Sequence, residues 1–101
     1  MKRIINGVKY DTETAAHMSH YSSRIGVNDL YYYEEDLYRK FNGKYFLYGE
    51  GNAGSKYSEV AGLNSWSPGS GIIELTEDEA KRWVEQYAND CYEKVFGECY
   101  E

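Results

Sequence analysis

The residues of this chain whose types and spacing best suit chemistry are four carboxylates: Glu34, Glu35 and Asp36 in a row, and Glu50 beyond a turn. Paired carboxylates serve acid–base catalysis or hold a hard cation. On a strand, Glu34 and Asp36 share one face and Glu35 points to the other, so at most two converge. Arg39, Lys40 and Lys44 are then expected to pair with them across a hairpin. No nucleophile–base pairing accompanies these acids, and a chain of 101 residues with two histidines has little material to support a catalytic centre. The expectation is a protein without enzymatic activity and without catalytic residues.

Three other constellations are weaker. His17 and His20 stand three apart and, on a helix, reach one metal ion, while Cys91 and Cys99 offer soft ligands elsewhere. The cysteine spacing is wider than structural zinc sites use, so a surface histidine pair and two partly buried thiols are the plainer reading, and no cofactor is expected beyond this zinc alternative. Gly49-Glu50-Gly51-Asn52-Ala53-Gly54 matches G-x-G-x-x-G, yet Glu50 would face the phosphates and more glycine follows where a helix must begin, which makes it a glycine-rich turn. Tyr31-Tyr32-Tyr33 could stack nucleic acid bases, but its neighbours are acidic, so a strand with an exposed tyrosine face is expected instead.

The elements that must position these residues follow from turn chemistry and periodicity. Asn6-Gly7 between Ile4-Ile5 and Val8-Lys9-Tyr10 marks an N-terminal hairpin. Asp11 or Thr12 then caps a first helix, with Ala15, Met18, Ser22 and Ile25 at helical spacing through about residue 24. Residues 30–41 and 44–48, joined by Asn42-Gly43, form a second hairpin at the centre of an antiparallel sheet. Residues 49–71, rich in Gly, Asn and Ser, read as mostly loop, and Ile72-Ile73-Glu74-Leu75 as a third strand. Thr76-Glu77-Asp78-Glu79 is a capping box, followed by Ala80, Trp83, Val84, Tyr87 and Ala88 on one apolar helical face. Tyr92, Val95 and Phe96 add a further turn ended by Gly97. The fold class is α+β, a single domain over residues 1–101: a small antiparallel sheet (N-terminal hairpin plus three-stranded meander) packed with two or three helices.

Composition narrows the function classes. No apolar run approaches the roughly 18 residues of a membrane span, and two cysteines are too few for a disulfide framework. A cytoplasmic protein with no membrane partner is expected. Eight acids and eight bases cancel over residues 1–71, so the net charge of −6 lies in the last thirty residues. Such a segment repels nucleic acid and attracts basic proteins. Glu77, Asp78, Glu85, Asp90, Glu93 and Glu98 are among the acids that carry this charge, and tyrosine, as at Tyr31 and Tyr33, suits recognition surfaces because it buries large area with few rotors.

The segments Tyr33-Glu34-Glu35-Asp36-Leu37-Tyr38-Arg39, Gly43-Lys44-Tyr45-Phe46-Leu47-Tyr48-Gly49-Glu50-Gly51 with Lys56-Tyr57, Ile72–Ala80 and Tyr92–Glu98 resemble small proteins carried by prophages and conjugative elements of Gram-positive bacteria. The likeness covers most of the chain after about residue 30, and Ile5-Asn6-Gly7 with Tyr10–Ala15 also fits. It implies a counter-defence protein of the host bacterial cytosol: a candidate anti-CRISPR protein of the Cas9-inhibitor type. Its partner would be a CRISPR effector nuclease or another basic nucleic-acid-handling protein, gripped through an acidic surface so that nucleic acid loading is blocked, with Glu77, Asp78, Glu85, Asp90, Glu93 and Glu98 as the contacts and Tyr31 and Tyr33 as anchors. The alternatives are a regulatory module of a mobile element that binds a host protein through the glycine-rich stretch and Trp66, and a small zinc-binding protein.

Overall fold

Both Asn-Gly pairs reverse the chain, by different turns. The computed structural model describes residues 1–97; Glu98 and Cys99 lie outside the described residues. Between β1 (Lys2–Ile5) and β2 (Val8–Asp11), Asn6 and Gly7 take positive φ values of 51° and 77°, the type I′ conformation whose twist matches the flanking strands. In the second hairpin only Gly43 does so, at 87°. There Asn42 accepts a hydrogen bond from the Lys44 amide at 3.1 Å.

The helix expected through residue 24 is a strand, β3 (Ala16–Ser22). Asp11 does what a cap would do: its carboxylate accepts from the Glu13 amide at 2.9 Å and its carbonyl from the Ala15 amide at 3.1 Å. The turn is not propagated. Met18 and Tyr21 gain more by packing onto the core, and His and Ser residues add little helix propensity to resist the sheet. The register of β3 against β4 (Tyr33–Arg39) slips between His17 and Ser19, so that Met18 is the extra residue of the strand.

The central sheet therefore has four antiparallel strands rather than three, in the order β3-β4-β5-β8, with β5 spanning Tyr45–Gly51 and β8 spanning Gly69–Leu75. The stretch read as mostly loop is more regular than its composition implies. β5 runs through Gly49 to Gly51, β8 begins at Gly69, and between them β6 (Glu59–Gly62) and β7 (Ser65–Ser67) make a separate hairpin. Turn residues here sit inside strands because their neighbours need the space, as Gly49 and Gly51 show below.

The capping box forms as its spacing predicts. Thr76 Oγ1 accepts from the Glu79 amide at 3.1 Å, and the Glu79 carboxylate accepts from the Thr76 amide at 2.9 Å. The bond from the Thr76 amide, and after it one from the Thr76 side chain, holds the Glu79 carboxyl below its ordinary value. Helix α1 (Glu77–Tyr87) buries Ala80, Trp83 and Val84 against one face of the sheet, where Leu37, Tyr45 and Leu47 meet them. A short helix α2 (Tyr92–Phe96) adds Tyr92 and Phe96 to this core and ends at Gly97, whose φ is 94°. Thr76→Ala should cost about 1 kcal/mol, the usual loss of an N-cap. A urea melt followed by circular dichroism checks this, and an unchanged midpoint would mean that the box contributes nothing.

The other face of the sheet is only half covered. The β1–β2 hairpin lays Tyr10 over Phe46 and Ile72, with Ile5 and Val8 beside them. Tyr10 packs edge-on against Phe46 and donates its hydroxyl to Glu74 at 2.7 Å. That hydrogen bond, with burial, raises the Tyr10 pKa. The rest of this face is open.

Candidate functional site

Strand alternation sorts the four carboxylates as expected. Glu34 and Asp36 point to the open face of the sheet, and Glu35 points to the helix side, where it is fully buried. Cross-strand register arranges the open face in three rows: Ser22, Glu34, Glu50 and Ser70; then His20, Asp36, Tyr48 and Ile72; then His17, Tyr38, Phe46 and Glu74. The N-terminal hairpin covers Phe46 and Ile72 and leaves the first row uncovered.

In that first row Glu34 and Glu50 are direct cross-strand partners. Like charges directly opposite each other destabilise a sheet. The expected relief from Arg39, Lys40 and Lys44 does not materialise, because these bases sit at the β4–β5 turn, at the far end of the same strands. Among the described residues, the only ion pair to Glu34 is with His20 Nε2 at 3.8 Å, Asp36 meets only the two histidines, and none reaches Glu50. Tyrosine hydroxyls supply the remaining contacts. Tyr48 donates to Glu50 at 3.3 Å. Burial, then the bond to Glu34, raises the Tyr32 pKa, and burial with the Glu50 charge raises that of Tyr48.

Glu34 and Glu50 form part of the lining of a cleft of about 370 Å³, together with Tyr32, Val27, Asn52, Pro68 and Ser70. Asn52 fixes its rim by donating to the carbonyls of Val27 at 2.9 Å and Asp29 at 2.7 Å, which ties the loop after β3 to the end of β5. The arrangement is a set of fixed acceptors beside aromatic rings, suited to an ammonium or guanidinium group.

His17 Nε2 and His20 Nδ1 each lie 2.8 Å from the same oxygen, Asp36 Oδ1. The strand irregularity, not a helix, brings both rings to one face. Among the described residues no group of three or more His, Cys, Asp or Glu side chains is placed to hold a metal ion. Cys91 is half-buried near α2.

Of the acids singled out on the C-terminal segment, Glu77, Asp78, Glu85, Asp90 and Glu93 are exposed, and Glu98 lies outside the described residues. They do not join the cleft, because α1 lies on the opposite side of the sheet from Glu34 and Glu50. They are also diluted by their own chain, with Lys81 4.0 Å from Glu77 and Arg82 exposed beside them. Tyr31 is exposed at the loop. Tyr33 is half-buried on the helix side between Tyr21 and Tyr57, with Lys56 over its ring at 5.0 Å. Tyr32, between them, is the ring that lines the cleft.

The residues that hold the site from behind were not legible as a group. Buried Glu35 accepts from Trp83 Nε1 at 3.0 Å on α1, from the Tyr57 hydroxyl, and from Lys56 Nζ at 2.7 Å. This network joins sheet, helix and the segment after β5 directly beneath the Glu34–Glu50 row. It also explains the glycine pattern: a Cβ on Gly49 would fall inside the Tyr57 ring, and one on Gly51 would collide with Ser55. No helix follows those glycines, and strand and turn account for all of them.

Burial and the Glu35 bond push the Tyr57 pKa well above the ordinary 10.0, and burial does the same for Tyr33. Above pH 10 the unfolded chain loses these protons while the folded chain keeps them. Stability is therefore full below about pH 10 and falls as pH rises beyond it, by about 1.4 kcal/mol per pH unit for each tyrosine held protonated. Urea midpoints measured on either side of pH 10 check the slope, and a flat profile would contradict the burial of these hydroxyls.

Comparison of the chain with protein-family models, with curated proteins and with solved structures finds no match. No helix is long and apolar enough to cross a membrane, among the described residues.

Proposed function

We propose that this protein is a binding inhibitor that docks the open, acidic face of its sheet onto a basic, nucleic-acid-handling surface of a CRISPR effector nuclease of the Cas9 type and so blocks nucleic acid loading. The observation that carries this reading is the Glu34–Glu50 pair: two carboxylates that are direct cross-strand partners with, among the described residues, no lysine or arginine within ion-pair distance. A like-charge pair costs the sheet stability, and the cationic side chains of a partner remove that cost on binding.

Guide and target strands of such effectors lie in positively charged channels. Carboxylates fixed on a sheet occupy positions that phosphates would take, and their charge speeds encounter with a basic surface. The same charge disfavours direct nucleic acid binding. Binding is preferred to catalysis because the cleft holds acceptors and tyrosine hydroxyls without a nucleophile oriented by a base. The choice of effector rests on the resemblance to mobile-element proteins, and a place of action in the host bacterial cytosol follows from that partner.

The test is direct binding of this protein to guide-loaded Cas9 from a Gram-positive host at low and at high ionic strength. Saturable one-to-one binding that weakens steeply with salt is expected. Salt-independent binding, or none, would overturn the acidic-docking reading.

A further inference from the structure

The β6–β7 hairpin is the most exposed regular element of the molecule. Every residue from Glu59 to Trp66 is exposed. Val60 and Trp66 are cross-strand partners, 70% and 59% exposed, and Leu63 at the tip is 94% exposed. A lone two-stranded hairpin is marginal in water. Linking β5 to its antiparallel neighbour β8 needs only a few residues, yet the chain extends the connection from residue 52 to residue 68 and sets a tryptophan in its second strand. The radius of gyration, 14.7 Å, exceeds the roughly 13 Å of a compact chain of this length, as a projecting arm requires.

Charge around the arm identifies what it meets. From Lys56 to Lys81 the sequence contains no lysine or arginine. Glu59 stands exposed at the arm's root, its side chain against Gly69, and Pro68 and Gly69 at the arm's foot line the cleft that holds Glu34 and Glu50. An apolar tip thus rises from an acidic base.

We infer that the arm is a plug: Val60, Leu63 and Trp66 insert into an apolar pocket of a protein partner whose mouth carries lysine or arginine to meet Glu59, Glu34 and Glu50. The partner's identity rests on the function proposed above; the chemistry of the contact rests on the arm itself. A second copy of this chain is disfavoured, because a two-fold contact would bring the same acids face to face. Single-stranded nucleic acid, which could stack on Trp66, is disfavoured by the same charges.

The test is the affinity of Trp66→Ala and Leu63→Ser for guide-loaded Cas9 of a Gram-positive host, with Trp66→Phe as the conservative variant. Loss of at least about 30-fold in each of the first two is expected, the scale of a buried aromatic anchor, with most affinity retained by Trp66→Phe. All three variants should unfold at the wild-type midpoint, since the arm buries nothing in the core. Wild-type binding with the variants unaffected would overturn the plug and leave the proposed function standing. No binding by the wild type would overturn that function and this partner with it. A wild-type dimer in sedimentation that Trp66→Ala dissociates, or oligonucleotide binding that it abolishes, would also overturn the inference.

Discussion

Glu35→Ala should destabilise the fold by about 3–5 kcal/mol, the cost of breaking a buried ionic network by removing one partner. The carboxylate is fully buried and satisfies the Trp83 indole, the Tyr57 hydroxyl and the Lys56 ammonium together. Lys56 is about half exposed, so water replaces its bond and screens its charge. The large share of the cost comes from the buried donors of Trp83 and Tyr57, which have no water to turn to. Against a total stability of roughly 5–15 kcal/mol for a small domain, the loss is a third or more. Glu35→Gln should fall between, because the amide keeps one acceptor oxygen and turns a donor toward groups that already donate. Urea unfolding followed by circular dichroism measures both, and a loss below about 1 kcal/mol for Glu35→Ala would mean that the network is dispensable.

The second large effect has opposite signs for stability and function. Glu50→Lys replaces a like-charge pair with an opposite-charge one directly across from Glu34, so the sheet should gain roughly 0.5–1 kcal/mol. The same substitution places a cation in a cleft proposed to receive one. Affinity for the effector should fall by about 30-fold or more, within the range for losing one member of a desolvated charge pair. A variant that is both more stable and unable to bind separates function from folding. Retained affinity would remove the cleft from the contact. Reversal of Glu77, Asp78 and Glu85 together should leave affinity within a few-fold, because those acids lie across the sheet and share their surface with Lys81 and Arg82.

Much of this was legible in the sequence, and the failures have physical causes. The two Asn-Gly turns, the capping box and the apolar helical face of Ala80, Trp83 and Val84 are local signals, and each forms where its residues require. The opposed faces of Glu34 and Glu35 follow from strand alternation alone. Residues 12–24 misled because Ala15, Met18 and Ser22 fit a helical period by position alone, while the strand turns Met18 toward α1 and Ala15 and Ser22 toward the other face. The charge tally carries no placement: residues 1–71 sum to zero, yet the sheet sends Glu34, Asp36 and Glu50 toward one end and Arg39, Lys40 and Lys44 to the other. Neutrality along a sequence is not neutrality across a surface. The Glu35 network joins residues as far apart as 48 positions, and no local pattern announces it.

The most direct test of the central claim is an order-of-addition assay of DNA cleavage by guide-loaded Cas9 of a Gram-positive host, with wild type and Glu50→Lys compared at low salt. Inhibition by the wild type when it is added before target DNA, little when it is added after, and none by Glu50→Lys in either order is the expected result. Equal inhibition by both proteins, or none by the wild type in either order, would contradict it.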